Sequence, residues 1–339
     1  MNDININNNP LVSIVCTAYN HEPYIRQCLE GFVMQKTNFL FEVLINDDAS
    51  TDNTASIIRE YETKYPDIIK PIYQAENQYS KRVGLWRTIL FPRAKGKYIA
   101  LCEGDDYWTD QYKLQKQVDF LEANEDFVVC SHRYKIFNVE TKKWNSNKAD
   151  YLFNQNIKGI EFGTEAGINR YELTKTVTVM FRRKCLDLNT LSKYKYSRDV
   201  HFFYHLLNAG KGYCMNYDAA VYRHHKGGVW GLNSKLEKLS VNAKVFEELY
   251  RNNPKDTALK YQYYSLLFLL KTELYFGVIS FKYPFFDFKQ FKKFNKIYSD
   301  NTKKSLFIYP ISCVFYVKKR LKLSVYPIFG KSMFIKKRN

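Results

Sequence analysis

The sequence predicts an α/β fold: a Rossmann-like, mostly parallel sheet flanked by helices, with a helical and basic aromatic extension at its C-terminal end. Three observations carry that expectation. Continuous apolar, β-branched runs of strand length recur through the first part of the chain, as strands covered on both faces require. Helix-period segments alternate with them across short loops, the pattern of strand–helix–strand units. Polar, mostly acidic clusters follow three of those runs directly, at the rim where open α/β sheets bind ligands. With 45% hydrophobic content over 339 residues, the chain is too apolar for disorder and long enough for one large domain with an appendage.

Leu11–Cys16 (LVSIVC) reads as a buried strand, and a helix follows over 22–35, where Ile25, Cys28, Leu29, Phe32 and Val33 recur at helical spacing. Phe41–Asn46 (FEVLIN) is a second buried strand, followed by a helix over Thr54–Tyr65 with Asp52 as its N-cap. Ile68–Tyr73, Lys97–Cys102 (KYIALC) and Asp126–Ser131 complete the set of strands. The character changes near Leu236, where helices are predicted over 235–250 and 257–275. No internal repeat is present.

The formal charge of +18 is uneven. Residues 281–339 hold 15 Lys/Arg against 2 Asp/Glu, which leaves +5 for the rest. The high pI therefore describes a tail, and a nucleic-acid function argued from total charge loses most of its support. The seven cysteines form no CxxC pair and no close cluster, which favours a reduced compartment over a disulfide framework or a zinc site. Met1–Pro10 lacks the basic and apolar regions of a secretory leader, and no apolar run reaches the ~18 residues of a membrane span. The expectation is a cytoplasmic protein.

Chemistry gathers after Cys16 (TAYN), Asn46 (DDASTD) and Cys102 (EGDD). A carboxylate at the mouth of a sheet can accept from a base N–H or ribose hydroxyls. Asp52 reads better as a helix cap, whereas Asp47 and Asp48 lie too early to cap and repel each other unless something neutralises them. In an extended segment, Glu103 and Asp105 point the same way, and Gly104 between them would let a ligand approach the backbone. Converging hard oxygens suit Mg²⁺ or Mn²⁺, whose shells commonly include substrate phosphates. Together the clusters describe a nucleoside diphosphate held by its base at one end and by a metal at the other. Neither GxGxxG after the first strand nor GxxxxGK[ST] is present.

The segments VSIVCTAYNHEPYIRQCLEG, VLINDDASTDNT and GKYIALCEGDDYWTDQYKLQKQ resemble, in order and spacing, the family 2 glycosyltransferases of the GT-A fold. The resemblance is dense over residues 11–125 and sparser to 232. It implies a GT-A domain over residues 1–235, with 236–339 as the extension. It also implies inverting transfer of a sugar from a nucleotide-sugar donor, UDP favoured, to a hydroxyl of a glycan or lipid-linked acceptor. Carried over, Thr17, Ala18, Tyr19 and Glu22 surround the nucleobase and ribose, and Asp47 or Asp48 contacts the base. Glu103, Gly104 and Asp105 match the DxD motif. Glu at its first position is a departure, which makes Asp105 the firmer metal ligand and leaves Glu103 the ribose or a water as alternatives.

Inverting transfer needs a carboxylate to take the acceptor proton. Between Lys184 and Trp230 the candidates are Asp187, Asp199 and Asp218. Asp199 opens an apolar helix pattern that ends at Gly210, as in the family's catalytic segment, and is the expected base; helix capping is its bland alternative. In VYRHHKGGVWG the resemblance suggests that His225, in preference to His224, meets the pyrophosphate or metal. Arg223 and Lys226 could counter phosphate charge, and Gly227 and Gly228 would free the loop. Thr176–Arg182 reads as a strand lining the acceptor side. The tail interleaves 15 Phe/Tyr with its basic residues, which suits an anionic membrane surface. The resemblance, taken with this tail, implies surface-polysaccharide synthesis at the inner face of a bacterial membrane, with no nucleic-acid partner expected. Nucleic-acid binding by the tail leaves the acidic clusters unexplained, and a nucleotidyltransferase lacks its Gly-rich loop after the first strand.

Overall fold

The computed structural model describes residues 9–81, 83–147, 149–164, 172–195, 198–228, 234–282 and 336–338. The chain begins with β1 (Val12–Ala18), α1 (Glu22–Val33), β2 (Phe41–Asp47), α2 (Thr54–Lys64) and β3 (Ile69–Tyr73). Then come β4 (Tyr98–Glu103), β5 (Tyr107–Trp108), α3 (Lys113–Ala123), β6 (Phe127–Asn138), β7 (Lys143–Asn145) and β8 (Gly159–Phe162). β9 (Met180–Arg182), α4 (Leu188–Ser192), α5 (Asp199–Asn208), β10 (Lys211–His224), α6 (Lys235–Asn252), α7 (Thr257–Lys282) and β11 (Lys336–Arg338) follow.

The strands form one sheet in the order β11-β8-β10-β6-β9-β4-β1-β2-β3, with β5 beside β10 and β7 beside β6. β3, β2, β1 and β4 are mutually parallel, as are β6 and β10. The sheet is more mixed than expected, because β9 inserts antiparallel between β4 and β6. The predicted strand over Thr176–Arg182 divides into a 3₁₀ turn at Thr176–Thr178 and β9. β6 runs on to Asn138, well past the predicted end at Ser131, since its outer part pairs with both β7 and β10. That outer part alternates buried and open positions, so no continuous apolar run advertises it.

The period of two sorts side chains between the sheet's faces. Val12, Ile14, Cys16, Val43, Ile45 and Ala100 pack with Ile25, Leu29 and Phe32 of α1 and Leu114 and Leu121 of α3. Val15, Leu44, Ile99 and Leu101 pack on the opposite side with Phe91, Phe181, Phe202 and Leu206. Burial of this kind contributes roughly 1.5–3 kcal/mol per large aliphatic side chain. Strands covered on both sides need the continuous apolar runs seen in the sequence.

Register then fixes the rim: Thr17 lies level with Asn46 on one side and Glu103 on the other, and Ala18 is level with Asp47. The three motif-bearing loops therefore leave the sheet together.

α6 begins at Lys235, where the sequence changes character, and Ser234 and Glu237 close its start as a capping box. The chain divides into two compact units, residues 1–267 with 334–339, and residues 268–333. Of the second unit only the helical residues 268–282 are described, so most of the basic aromatic tail lies outside the described residues. Among the described residues no helix is long and apolar enough to cross a membrane. The six described cysteines are free.

Arg182 secures the antiparallel insertion. It is 4% exposed, and its guanidinium donates to the carbonyls of Phe127 (2.8 Å), Asn124 (3.1 Å) and Leu121 and to the Tyr98 hydroxyl (3.1 Å). Arg182→Leu strands those acceptors and should cost about 2–4 kcal/mol in urea unfolding, because buried groups that lose a charged donor are expensive.

Candidate active site

The rim loops are stitched together before any ligand is considered. Asp48 N donates to Ala18 O (2.9 Å) and Gly104 N to Thr17 O (2.9 Å), so ladder-like bonds continue past the strand ends. The starts of α1 and α2 exchange caps. Asp52 accepts from the Glu22 amide (3.1 Å) and the Thr54 amide (2.9 Å), and Glu22 accepts from the Asn53 amide (3.1 Å) and side chain (2.7 Å). The predicted cap thus acts from one residue outside the cap position, which Asn53 holds, and serves two helices. Glu22, expected beside the nucleoside, has its carboxylate engaged in this brace. Asn20 and Ala49 adopt left-handed backbone (φ 54° and 60°) in the two turns, and Asn20 Oδ1 accepts from Thr51 N at 2.8 Å.

Asp47 and Asp48 separate into different roles. Both oxygens of Asp48 are taken by backbone, from Gln78 N (2.8 Å) and Tyr79 N (3.0 Å). Asp47 accepts from Ser50 N at 3.3 Å, while its Oδ1 is buried with no partner among the described residues. Of the two carboxylates, Asp47 is the one with an unclaimed acceptor. Tyr19 stands exposed on the same rim.

Glu103, Asp105 and Asp106 each offer a carboxylate oxygen within 4.8 Å of the others. Asp105 Oδ2 sits 3.0 Å from His225 Nε2 and 3.9 Å from His21 Nε2. Asp106 is fully buried and accepts from the Arg223 amide at 2.8 Å, tying the motif to β10. Glu103 accepts from the Thr176 hydroxyl at 3.3 Å. The 3₁₀ turn carrying Thr176 is itself pinned: Trp108 Nε1 donates to Val177 O (2.8 Å) and Gln117 to Thr178 O (2.9 Å).

Crowding sets the electrostatics. Burial, and then the charge of Asp105, push the Glu103 carboxyl up to about 7. Burial and the charges of Asp105 and Glu103 raise Asp106 well above the usual carboxylate range. At Asp105, burial also acts upward, but the His225 hydrogen bond and the His21 and His225 imidazoles outweigh it and hold the carboxyl low. One carboxylate is thereby kept anionic between two that resist charge. Asp105 Oδ1 and Asp106 Oδ2 are buried with no partner among the described residues.

Gly104 serves packing rather than ligand approach. A Cβ there would fall 2.9 Å from His21 Nδ1, 3.0 Å from Ile25 Cδ1 and 3.1 Å from Ala18 Cβ, so the protein's own side chains occupy the space. His225 lies in the cluster and against Tyr24 (ring centroids 4.7 Å), whereas His224 contacts Asn138 at 3.3 Å. Arg223 is buried, bonded to Asp105 O (2.6 Å) and to Gln27, and stacked on Tyr107 at 4.3 Å. Lys226 N donates to Glu140 at 2.6 Å; Gly227 and Gly228 are described, and residues 229–233 of that loop lie outside the described residues.

Asp199 is exposed at the first turn of α5, with Oδ1 accepting from Val200 N at 2.9 Å. Arg198, not Asp199, holds the cap position, and the His201 ring accepts from the Arg198 amide at 3.2 Å. The charge of Asp199 reaches Glu103 and Lys175. The rival carboxylates are engaged elsewhere: Asp187 caps α4 through Thr190 (3.0 Å), and Asp218 faces Arg133 at 3.9 Å. Sequence reasoning missed His21, Lys175 and Thr176 as site neighbours. His21 stood inside a quoted motif, but Lys175 and Thr176 reach Glu103 across some 70 residues, with no local signal.

Glu103→Gln tests the electrostatics. With a folded value near 7 against 4.5 ordinarily, the folded state binds the extra proton between those pH values, so Glu103 destabilises increasingly as pH rises through that window. The metal-free variant should be about 1–3 kcal/mol more stable than wild type at pH 8 in urea unfolding, and the gain should vanish towards pH 4.5.

Comparison with known proteins gives three kinds of likeness. The profile of glycosyl transferase family 2 matches residues 13–186. An uncharacterised Mycobacterium tuberculosis protein is 34% identical over 227 residues, 65% of this chain and 60% of that protein. The match thus spans less than two thirds of that relative's length. The Escherichia coli UDP-Glc:α-D-GlcNAc-diphosphoundecaprenol β-1,3-glucosyltransferase WfaP is 36% identical over 124 residues, 37% of this chain and 46% of WfaP. Among solved structures, the mannosyltransferase PcManGT from Pyrobaculum calidifontis, in complex with GDP-Man and Mn²⁺, superposes with a TM-score of 0.56 at 15% identity. That likeness covers 93% of this chain and 87% of PcManGT, and it bears on the fold alone.

Proposed function

The chain belongs to glycosyl transferase family 2, and from that premise we propose that it moves a sugar from a nucleotide-sugar donor to a hydroxyl of a glycan or lipid-linked acceptor, with inversion. The observation that carries this reading is the convergence of Glu103, Asp105 and Asp106 at the strand rim, with two buried carboxylate oxygens left unpartnered. Those orphan oxygens suit a hard divalent cation, Mg²⁺ or Mn²⁺. Asp105 would be its first ligand, with Glu103 and His225 beside it. When bound, such a cation offsets the negative charge that builds on a departing diphosphate.

The chain's own groups supply the remaining work. Asp47 Oδ1 is an acceptor without a donor, which suits a ring N–H of a nucleobase such as N3–H of uracil, and the UDP-Glc in the name of WfaP supports UDP as the favoured nucleotide. The main chain of Thr17 and Ala18 and the exposed ring of Tyr19 border the same mouth, whereas Asp48 and Glu22 hold the loops that form it. Asp199, exposed and within electrostatic reach of Glu103, takes the proton of the acceptor hydroxyl as the new glycosidic bond forms, and the diphosphate leaves from the opposite face of the anomeric carbon. The donor and undecaprenol-linked acceptor in the name of the E. coli relative support a role in cell-surface glycan synthesis at the inner face of a bacterial membrane.

Two variants test the division of labour. In wild type, Mn²⁺ should raise the thermal midpoint further with UDP than without it, and the same panel should rank GDP and dTDP below UDP. Asp105→Ala should lose the metal-dependent increment. Asp199→Asn should keep that increment while UDP release from donor sugars falls by about 10²–10⁴-fold, the usual worth of a general base; retained turnover would exclude Asp199 from that role.

A further inference from the structure

The acidic rim has a counterpart at the other end of the sheet. Where Leu11 enters β1, where residues 95–97 lead into β4 and where the chain leaves β9, the surface folds into a cavity of about 760 Å³. Pro10, Leu11, Phe39 and Leu40 form its apolar wall, and Lys95, Lys97, Arg182, Arg183 and Lys184 supply only positive charge. Among the described residues no carboxylate lines it.

Three of the cations already have assignments. Arg182 is buried in the bonds described above, Lys97 pairs with Glu122 at 2.7 Å, and Arg183 Nε donates to Gly96 O at 2.6 Å. The ammonium groups of Lys95 and Lys184 are exposed and have no carboxylate partner among the described residues. The most open part of the apolar wall is Leu40, 55% exposed, its carbonyl accepting from the Leu11 amide at 2.7 Å. An apolar side chain held outward on a bonded turn, beside cations with nothing to neutralise them, is the arrangement that interfacial segments present to lipid.

We propose that this cavity and its basic lip are a docking face for an anionic bilayer surface. Leu40 and Phe39 meet the boundary between headgroups and acyl chains, and Lys95, Arg183 and Lys184 lie over lipid phosphates. Charge complementarity selects an anionic occupant, since a neutral partner would leave the cations unpaired, and the exposed aliphatic Leu40 beside them favours a lipid interface over a nucleic acid, for which the lining offers one partly exposed aromatic, Phe39. The inference does not depend on the enzymatic reading. It also orients the domain: β1 is seven residues, about 23 Å long, so the acidic rim is held away from the bilayer that would repel it.

Co-sedimentation of the full chain with phosphatidylcholine vesicles, with and without phosphatidylglycerol, decides the matter. K95E/K184E should lower partitioning onto the anionic vesicles at least about threefold, and L40S should lower it independently. K142E/K143E makes the same charge change at the exposed turn that enters β7 and at its first residue, and should change partitioning much less. Wild-type partitioning by both cavity variants would overturn the proposal. Equal losses in the two charge-reversal pairs would reduce it to net-charge attraction and overturn it as well. Should the double variant fail to fold, L40S alone carries the decision.

Discussion

Repulsion among three carboxylates is the constraint around which this end of the molecule is arranged. Glu103, Asp105 and Asp106 come within 4.8 Å of one another because a parallel strand ends and the chain turns in three residues. Left alone, such a group would spread or stay protonated. The surroundings instead sort the charges. His225 and His21 favour the anion on Asp105, the Arg223 amide anchors Asp106, and Thr176 steadies Glu103. Those partners arrive on three separate segments, the end of β10, the start of α1 and the 3₁₀ turn, so the fold must be complete before the site's charge pattern exists.

Support for that pattern extends inward. Trp108 follows the acidic motif by two residues, packs on Phe32 of α1 with centroids 4.9 Å apart, and fixes the turn that carries Thr176. Beneath it, the fully buried Lys113 amine lies 3.9 Å from the indole and donates to Gln117 at 2.7 Å. Burial draws that amine down to about 7. Gln117 in turn donates to Thr178 O. The chain from α3 through Trp108 to Thr176 explains why a short turn with a single hydroxyl contact can hold Glu103 in place.

Much of this was legible in the sequence, for definite reasons. β1, β2 and β4 are buried on both faces, so their apolar runs are unbroken and their ends stand out against the acidic loops. β6 was cut short because half of it alternates, and β9 was lengthened because a 3₁₀ turn and a strand share the same β-branched composition. Within the site, Glu103, Asp105 and His225 were named from their motifs, whereas His21 on the first motif and Lys175 were not singled out and Thr176 was named only as the start of an acceptor-side strand, since register and a crossover bring the last two in. Gly104 was noticed for the wrong reason: its missing side chain makes room for His21 and Ile25. Asp48 and Glu22 read as ligand groups, and in the structure their carboxylates accept from backbone amides of other loops, Gln78 and Tyr79 for Asp48 and Asn53 for Glu22.

The exchange of caps between Glu22 and Asp52 has an evolutionary corollary. Each residue closes a helix that the other one's loop begins, so neither loop can lengthen or drift without loosening both. The half of the mouth that holds Asp47 and Asp105 is consequently braced as one unit. On the opposite side the turn of Thr176 is held through Trp108 and Gln117, whereas Asp199 stands exposed on a separate element, the first turn of α5. An insertion in either capping loop would therefore have to be matched in the other before the mouth could form again.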